Sequence, residues 1–178
     1  RNDPTSAAKQ VSLTELGSIK INKEERTKMY KTIPRSSVIG FLIGVLPGAG
    51  ATIASFLAYG MERNVVSDEE KEKFGKGSVN GLSAPETANN AACSGSFVPM
   101  LTLGIPGSGT TAVMLGALLG FGVQPGPRLY MTNPEIFWSI IMSMYIGMVI
   151  LLILNLPLIP YIARILAVPK NYLIPLIL

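Results

Sequence analysis

The sequence predicts an all-α polytopic membrane protein, and three observations carry that expectation. No charged residue occurs from Ser36 through Met61, from Thr87 through Pro127, or from Ile136 through Ala163. Each run can hold membrane structure, because about 20 mostly apolar residues cross roughly 30 Å of hydrocarbon as a helix. Only 15% of the 178 residues are charged and 48% are hydrophobic, whereas a soluble domain carries roughly a quarter charged residues. Finally, two of the runs are interrupted by clusters of proline and glycine, Pro47-Gly-Ala-Gly and Pro106-Gly-Ser-Gly, which stop a helix locally. Together these features exclude a soluble enzyme core, a disordered tail and a nucleic-acid binder.

Residues 1–35 form a polar, partly helical extramembrane segment with eight Lys/Arg and four acids. Ser12-Leu-Thr-Glu15 has the spacing of a capping box, and basic residues there mark the cytoplasmic side. Residues 36–61 are a membrane segment broken at Leu46-Pro-Gly-Ala-Gly-Ala-Thr52. About 11 residues, or roughly 16 Å of helix, lie on each side of the break. Either a re-entrant hairpin or one crossing helix broken at the midplane fits, and Lys71, Lys73 and Lys76 in the next loop favour the hairpin.

Residues 62–83 read as a polar loop with a short charged helix. Ser67-Asp-Glu-Glu70 opens it with another capping-box spacing and Gly75 and Gly77 close it. Its charges are read as a solvated face. Residues 84–127 are too long for one crossing and contain a second break at Ile105-Pro-Gly-Ser-Gly-Thr-Thr111, followed by the turn-forming Gly122-Val-Gln-Pro-Gly-Pro127. Residues 128–135 are a loop, 136–163 a transmembrane helix whose end Asn155, Pro157 and Pro160 disturb, and 164–178 the start of a truncated further membrane segment. The chain begins at Arg1 rather than Met and ends in the apolar run Tyr172–Leu178, which reads as a piece of a larger protein.

The two breaks share the pattern P-G-x-G-x-T, at Pro47–Thr52 and Pro106–Thr111. Paired interrupted segments point to the binding site of a secondary transporter, often one built from inverted repeats. The reason is physical. A broken helix leaves free N–H groups and partial positive charge at the new N-terminus, and carbonyls with partial negative charge at the old C-terminus. A carboxylate suits the first and a cation the second. The plainer reading is packing, since Gly40-x-x-x-Gly44 and Gly116-x-x-x-Gly120 have the small-residue spacing of close helix contacts. A phosphate-binding loop fits poorly, because neither break ends in Gly-Lys-Ser/Thr.

A third constellation is Gly81-Leu-Ser-Ala-Pro-Glu-Thr-Ala-Asn-Asn-Ala-Ala-Cys93. Ser83 and Glu86 have capping-box spacing with Pro85 in the first turn. Glu86, Asn89, Asn90 and Cys93 share one helical face. Glu86 is either a capping carboxylate at the membrane border or a cation or proton-coupling ligand, and the two amides are expected to line a polar cavity rather than face lipid. With no Lys or Arg in the uncharged runs, an anion would depend on helix N-termini, Ser/Thr hydroxyls and a co-bound cation for its charge. The absence of histidine excludes His-based relays, and Cys93 has no second thiol to pair with.

At these residues the chain resembles the large membrane subunit of tripartite tricarboxylate transporters. The resemblance rests on Gly44-Val-Leu-Pro-Gly-Ala-Gly-Ala-Thr52, Phe74-Gly-Lys-Gly77 with Gly81 and Ala84-Pro-Glu-Thr-Ala-Asn-Asn-Ala91, Leu101-Thr-Leu-Gly-Ile-Pro-Gly-Ser108 and Gln124-Pro-Gly-Pro127. It continues through Asn155-Leu-Pro157 and Val168-Pro169, covering nearly everything from Pro34 onward. It implies a multi-pass permease of the bacterial inner membrane, working with a small membrane subunit and a periplasmic solute-binding protein. Citrate-like tricarboxylates or related dicarboxylates would be imported by symport with sodium or protons, not by ATP, and without a resident metal or cofactor. Members are longer, so the chain would be a fragment from the second half.

The resemblance places Pro47, Gly48, Gly50 and Thr52, with Pro106, Gly107, Ser108, Thr110 and Thr111, at substrate and ion loops. Asn89 and Asn90 would join the substrate site, and Glu86 with Asn90 the ion-coupling site. Two departures are visible. Gly109 stands where Ala is expected, and Asn80-Gly-Leu-Ser83 replaces Glu-Gly-Val-Ala, which points to substrate preference rather than mechanism. A passive pore would use the same breaks for selectivity, and a structural scaffold would use the glycines for packing alone. A membrane-embedded enzyme gains no support from a chain without His or a pair of embedded acids.

Overall fold

The computed structural model describes residues 21–165, with side chains described to residue 159. The Ser12–Glu15 capping box and residues 166–178 lie outside the described residues. Two units are distinguished, Ile21–Ser139 and the stretch from Ile140 onward. Among the described residues the secondary structure is helical: α1 (Lys23–Val45), α2 (Gly50–Val65), α3 (Asp68–Lys71), α4 (Val79–Gly95), α5 (Phe97–Leu103), α6 (Gly109–Gly120), α7 (Leu129–Thr132) and α8 (Pro134–Ile165).

Helix α1 starts at Asn22, whose side chain and Glu25 form a reciprocal capping box. It then runs without a break from the charged residues 23–35 into the apolar residues beyond, carrying Pro34 in its interior. The polar-to-apolar boundary at residue 35 is therefore not an element boundary. The helix stops at Val45 because Pro47 and the left-handed Gly48 (φ 80°) and Gly50 (φ 72°) follow.

Helices α1, α2 and α4 pack along stripes of small residues spaced four apart. The buried residues are Thr32, Ser36, Gly40 and Gly44 on α1, Ala54, Ala58 and Glu62 on α2, and Asn80, Ala84, Ala88 and Ala92 on α4. Thr32 meets Asn80, Gly40 meets Ala88 and Gly44 meets Ala92. Sequence number rises together on both helices, so α1 and α4 are parallel. Ser55 meets Pro85 and Glu62 meets Asn80, so α2 is antiparallel to them. A Cβ added at Gly40 or Gly44 would sit 2.6 Å from the Cα of Ala88 or Ala92. The backbones touch there, which is how membrane helices gain dispersion contacts without a hydrophobic drive.

Large apolar side chains point the other way. Leu42, Phe56, Val113 and Phe121 are 60%, 75%, 77% and 85% exposed, the small-inside, large-outside pattern suited to lipid or further membrane helices.

Beyond the bundle, α5 ends at left-handed Gly104 (φ 69°). The Gln124–Pro127 turn packs on it, with Gly126 N–H donating to the Leu101 carbonyl (3.1 Å) and Pro125 O 3.0 Å from a Cβ built at Gly104. The α8 stretch Pro134–Ile159 is 26 residues long and its most apolar 18-residue window has mean hydropathy 2.4, enough to cross a membrane by length and composition. It corrects one expectation: Asn155, Pro157 and Pro160 do not disturb the helix, which runs through them to Ile165. Proline lacks only one donor, and apolar helices tolerate that loss when nearby groups re-satisfy the freed carbonyl.

Two capping expectations also change. The α3 helix is four residues long, ends at Lys71 before Gly75 and Gly77, and its N-cap Ser67 makes no side-chain cap bond. Glu70 is drawn elsewhere. In α4 the N-cap is Ser78, whose hydroxyl accepts from Gly81 N–H at 3.1 Å. Ser83, Pro85 and Glu86 are consequently interior residues, with Ser83 donating to the Val79 carbonyl at 2.7 Å.

Candidate functional site

Both P-G-x-G-x-T breaks open onto one cavity of about 670 Å³. From the first break it is lined by Gly48, Gly50, Ala51 and Thr52. From the second come Pro106, Gly107, Ser108, Gly109, Thr110, Thr111 and Ala112, and Cys93, Ser96 and Phe97 close it from the α4–α5 junction. The break residues meet because small residues let them. A Cβ at Gly107 would lie 2.9 Å from the Ser96 side chain and 3.5 Å from the Gly44 carbonyl, and one at Gly95 would lie 2.6 Å from the Phe41 carbonyl.

The cavity presents the first turns of α2 and α6. Amides of a first helical turn have no intrahelical acceptor and carry the positive end of the helix dipole. The two starts differ. Ser108 and Thr111 cap α6 reciprocally: Ser108 N–H donates to Thr111 Oγ1 (2.8 Å) and Thr111 N–H to Ser108 Oγ (3.3 Å). The N-cap of α2 is Ala49, with no side-chain cap. No lining residue carries a charge, so the cavity's polarity comes from amides, hydroxyls and one thiol. Two converging helix N-termini of this kind suit an anion.

Of the residues expected at the site, Gly48, Gly50, Thr52, Pro106, Gly107, Ser108, Thr110 and Thr111 line this cavity. Pro47, Glu86, Asn89 and Asn90 do not. The last three are exposed on α4. Their face leads toward the cavity through Cys93, whose thiol donates to Asn89 Oδ1 at 3.7 Å, while Asn90 Nδ2 donates to the Glu86 carbonyl at 2.9 Å. Sequence reasoning did not place Ala51, Cys93, Ser96, Phe97, Gly109 or Ala112 among the lining residues. Of these, only Cys93, Ser96 and Gly109 carried a signal: a shared helical face with Glu86, Asn89 and Asn90, adjacency to a helix end, and membership of the break.

A second polar assembly lies at the charged end of the bundle, where the sequence predicts a solvated face. Glu62 is fully buried and accepts from Thr32 Oγ1 (2.8 Å), Arg35 Nη2 (2.7 Å) and Asn80 Nδ2 (3.2 Å). Asn80, which the resemblance ties to substrate preference, thus sits in this node and not among the cavity's lining residues.

Glu70, also buried, accepts from Lys28 Nζ (3.0 Å), Lys73 Nζ (3.3 Å) and Ser78 Oγ (3.1 Å). Burial pushes its pKa up, but the bonds from Lys28, Lys73 and Ser78 outweigh burial and hold it below the ordinary 4.5. Hydrogen bonds to Glu24 and then Glu70 raise Lys28 above the ordinary 10.5. Capping-box spacing pointed Glu70 at Ser67, and only the fold brings Lys28, 42 residues away, to it.

The chain matches the family model described as "Tripartite tricarboxylate transporter TctA family" over residues 1–178. It is 39% identical over 177 residues to an uncharacterized 52.8 kDa protein in the TAR-I ttuC' 3'region of Agrobacterium vitis, covering 99% of this chain and 35% of that relative. It is 46% identical over 138 residues to an uncharacterized protein in the TAR-II ttuC' 3'region of the same organism, covering 78% of this chain and 56% of that relative. The chain therefore spans about a third to somewhat over half the length of these relatives. No solved structure matches it.

Proposed function

The chain belongs to the tripartite tricarboxylate transporter TctA family, a family of transporters and not of enzymes, and on that premise we propose that it forms part of the permease subunit of a secondary active carboxylate importer. The single observation that carries this reading is the convergence of both P-G-x-G-x-T breaks on one uncharged cavity. A tricarboxylate or dicarboxylate would be held there by the first-turn amides of α2 and α6 and by the hydroxyls of Thr52, Ser108 and Thr110. With no basic side chain among the lining residues, a co-transported cation, sodium or proton, completes the charge balance. Glu86 and Asn90 on the adjoining face of α4 are the groups we assign to that coupling. Asn89 positions Cys93 at the rim.

The charges support one placement in the membrane. The N-terminal ends of α1 and α4 and the C-terminal end of α2 gather Lys28, Arg35, Arg63, Lys71, Lys73 and Lys76 at one end of the bundle, which we assign to the cytoplasmic side of a bacterial inner membrane. From Arg35 to the first break is 11 residues of helix, about 16 Å, or half of the roughly 30 Å hydrocarbon core. The antiparallel pair α1–α2 is then a re-entrant hairpin with its tip near the midplane, where transporters bind their solutes. A small membrane subunit and a periplasmic solute-binding protein are the partners proposed for the whole protein.

The test is uptake of radiolabelled citrate into liposomes holding the full-length protein and its small subunit, with binding protein outside. Accumulation driven by an inward sodium or proton gradient is the expected result and identifies the coupling ion. Equilibration without accumulation would replace the importer with a pore. A second readout uses Cys93, the free thiol at the cavity: its labelling by a maleimide should slow in the presence of a transported carboxylate, and labelled protein should lose uptake.

A further inference from the structure

Thr32, Ser36 and Glu62 are fully buried and Asn80 is 5% exposed, all at the charged end of the α1–α2–α4 bundle. Their hydrogen bonds are unevenly shared. Glu62 Oε1 receives Thr32, Arg35 and Asn80, while Glu62 Oε2, Asn80 Oδ1, Ser36 Oγ and Arg35 Nε, all buried, have no partner. Buried polar atoms are seldom left so, and several together call for an occupant. Three of the four are oxygens, one from each of the three helices.

We propose that Ser36 Oγ, Glu62 Oε2 and Asn80 Oδ1 form a binding site for an alkali-metal cation that ties α1, α2 and α4 together. A carboxylate, an amide oxygen and a hydroxyl are hard oxygen donors suited to such an ion. A divalent ion asks for more carboxylates, and no group of three His, Cys, Asp or Glu suited to a metal occurs among the described residues. Arg35 binds the other carboxylate oxygen and its side chain is 38% exposed, so its charge is shared with solvent while Oε2 stays free. The remaining donor, Arg35 Nε, is served by a water on the ion.

This site is distinct from the cavity. Glu62 lies 12 residues along α2 from Gly50, about 18 Å of helix, and the intervening stripe is alanine and glycine. Occupancy would fix the C-terminal end of the helix whose N-terminal end lines the cavity. The inference does not depend on what the cavity binds.

The experiment is thermal unfolding of the full-length protein in detergent, in sodium, potassium or choline chloride at equal ionic strength. Sodium or potassium should raise the midpoint by about 3 °C over choline. Ser36→Ala should keep the choline midpoint and lose the increment, and Glu62→Gln, which removes the carboxylate charge from the ligand set while keeping an oxygen to accept from Thr32 and Arg35, should lose it too. Glu62→Gln alone decides the matter if Ser36→Ala does not fold. Equal midpoints in all three salts, as a simple buried water would give, overturn the proposal. So does an increment that both variants leave unchanged, which would place the ion elsewhere.

Discussion

The first and second broken segments share two motifs, a G-x-x-x-G stripe and a P-G-x-G-x-T break, yet the fold uses them in opposite ways. On α1 the stripe Gly40/Gly44 presses against the backbone of α4, whereas nothing lies within 4 Å of a Cβ built at Gly116 or Gly120 on α6. At the breaks the contrast reverses. The second has its own side-chain caps in Ser108 and Thr111, while the first has none and relies on two left-handed glycines. A motif specifies what a backbone can do, and the neighbours decide whether it packs helices or leaves amides free for a ligand.

Filling the two stripes alike should separate their roles most strongly. Gly40→Val or Gly44→Val must push α1 off α4 and should cost about 3 kcal/mol or more, seen as a large fall in the thermal midpoint of the detergent-solubilised protein. Gly116→Val should change stability by less than about 0.5 kcal/mol. Comparable losses at both stripes would mean that α6 packs on a neighbour beyond the described residues, and the contrast would disappear.

Next come the breaks. Gly48→Ala and Gly50→Ala each force an L-residue into left-handed torsions at about 1–2 kcal/mol. They should raise the KM for carboxylate uptake about tenfold, because 1.4 kcal/mol of lost binding is a factor of ten. Gly109→Ala meets no neighbour and no positive φ, so its KM should stay within about twofold. Capping sharpens the same point at a smaller scale. Ser108→Ala removes a cap worth about 1 kcal/mol and should lower the midpoint, while Thr52→Ala, which caps nothing, should leave the midpoint and weaken uptake.

The legibility of the molecule follows the same division. The breaks at Leu46–Ala49 and after Leu103 were readable because proline and glycine act locally. Eight of the cavity residues were readable because the motif repeats. What local spacing could not give was partnership. The alanine stripe on α2 and α4 looks like any apolar helix until α1 is placed beside it. Ser67–Glu70 and Ser83–Glu86 both had capping-box spacing, but Glu70 is claimed by Lys28 and the α4 start by Ser78. Glu62 and Asn80, 18 residues apart, signal nothing alone. Asn155 and the two prolines near it do not break α8, since breaker residues carry less weight in an apolar helix suited to a membrane than in water.

The smallest effect expected is a pH dependence that separates the loop anchor from the breaks. Glu70 has its folded pKa lowered, so its contribution is present above the ordinary carboxylate value of 4.5 and is lost as pH falls through the depressed folded value. Lys28 has its folded pKa raised, so its contribution is present below 10.5 and is lost as pH rises through the elevated folded value. Between these limits the Lys28–Glu70–Lys73 contacts hold residues 67–78 to α1. The lysine side chains are partly or mostly exposed, so solvent screening keeps the effect modest. Hydrogen exchange should report it: amides around Ser78 should stay protected from about pH 5 to 10 and open at lower and higher pH. Glu70→Gln should flatten the acid side while the cavity's thiol labelling at Cys93 stays unchanged at neutral pH. If labelling changed as well, the anchor and the cavity would be coupled through α4, whose N-cap Ser78 bonds Glu70 and whose Cys93 faces the cavity.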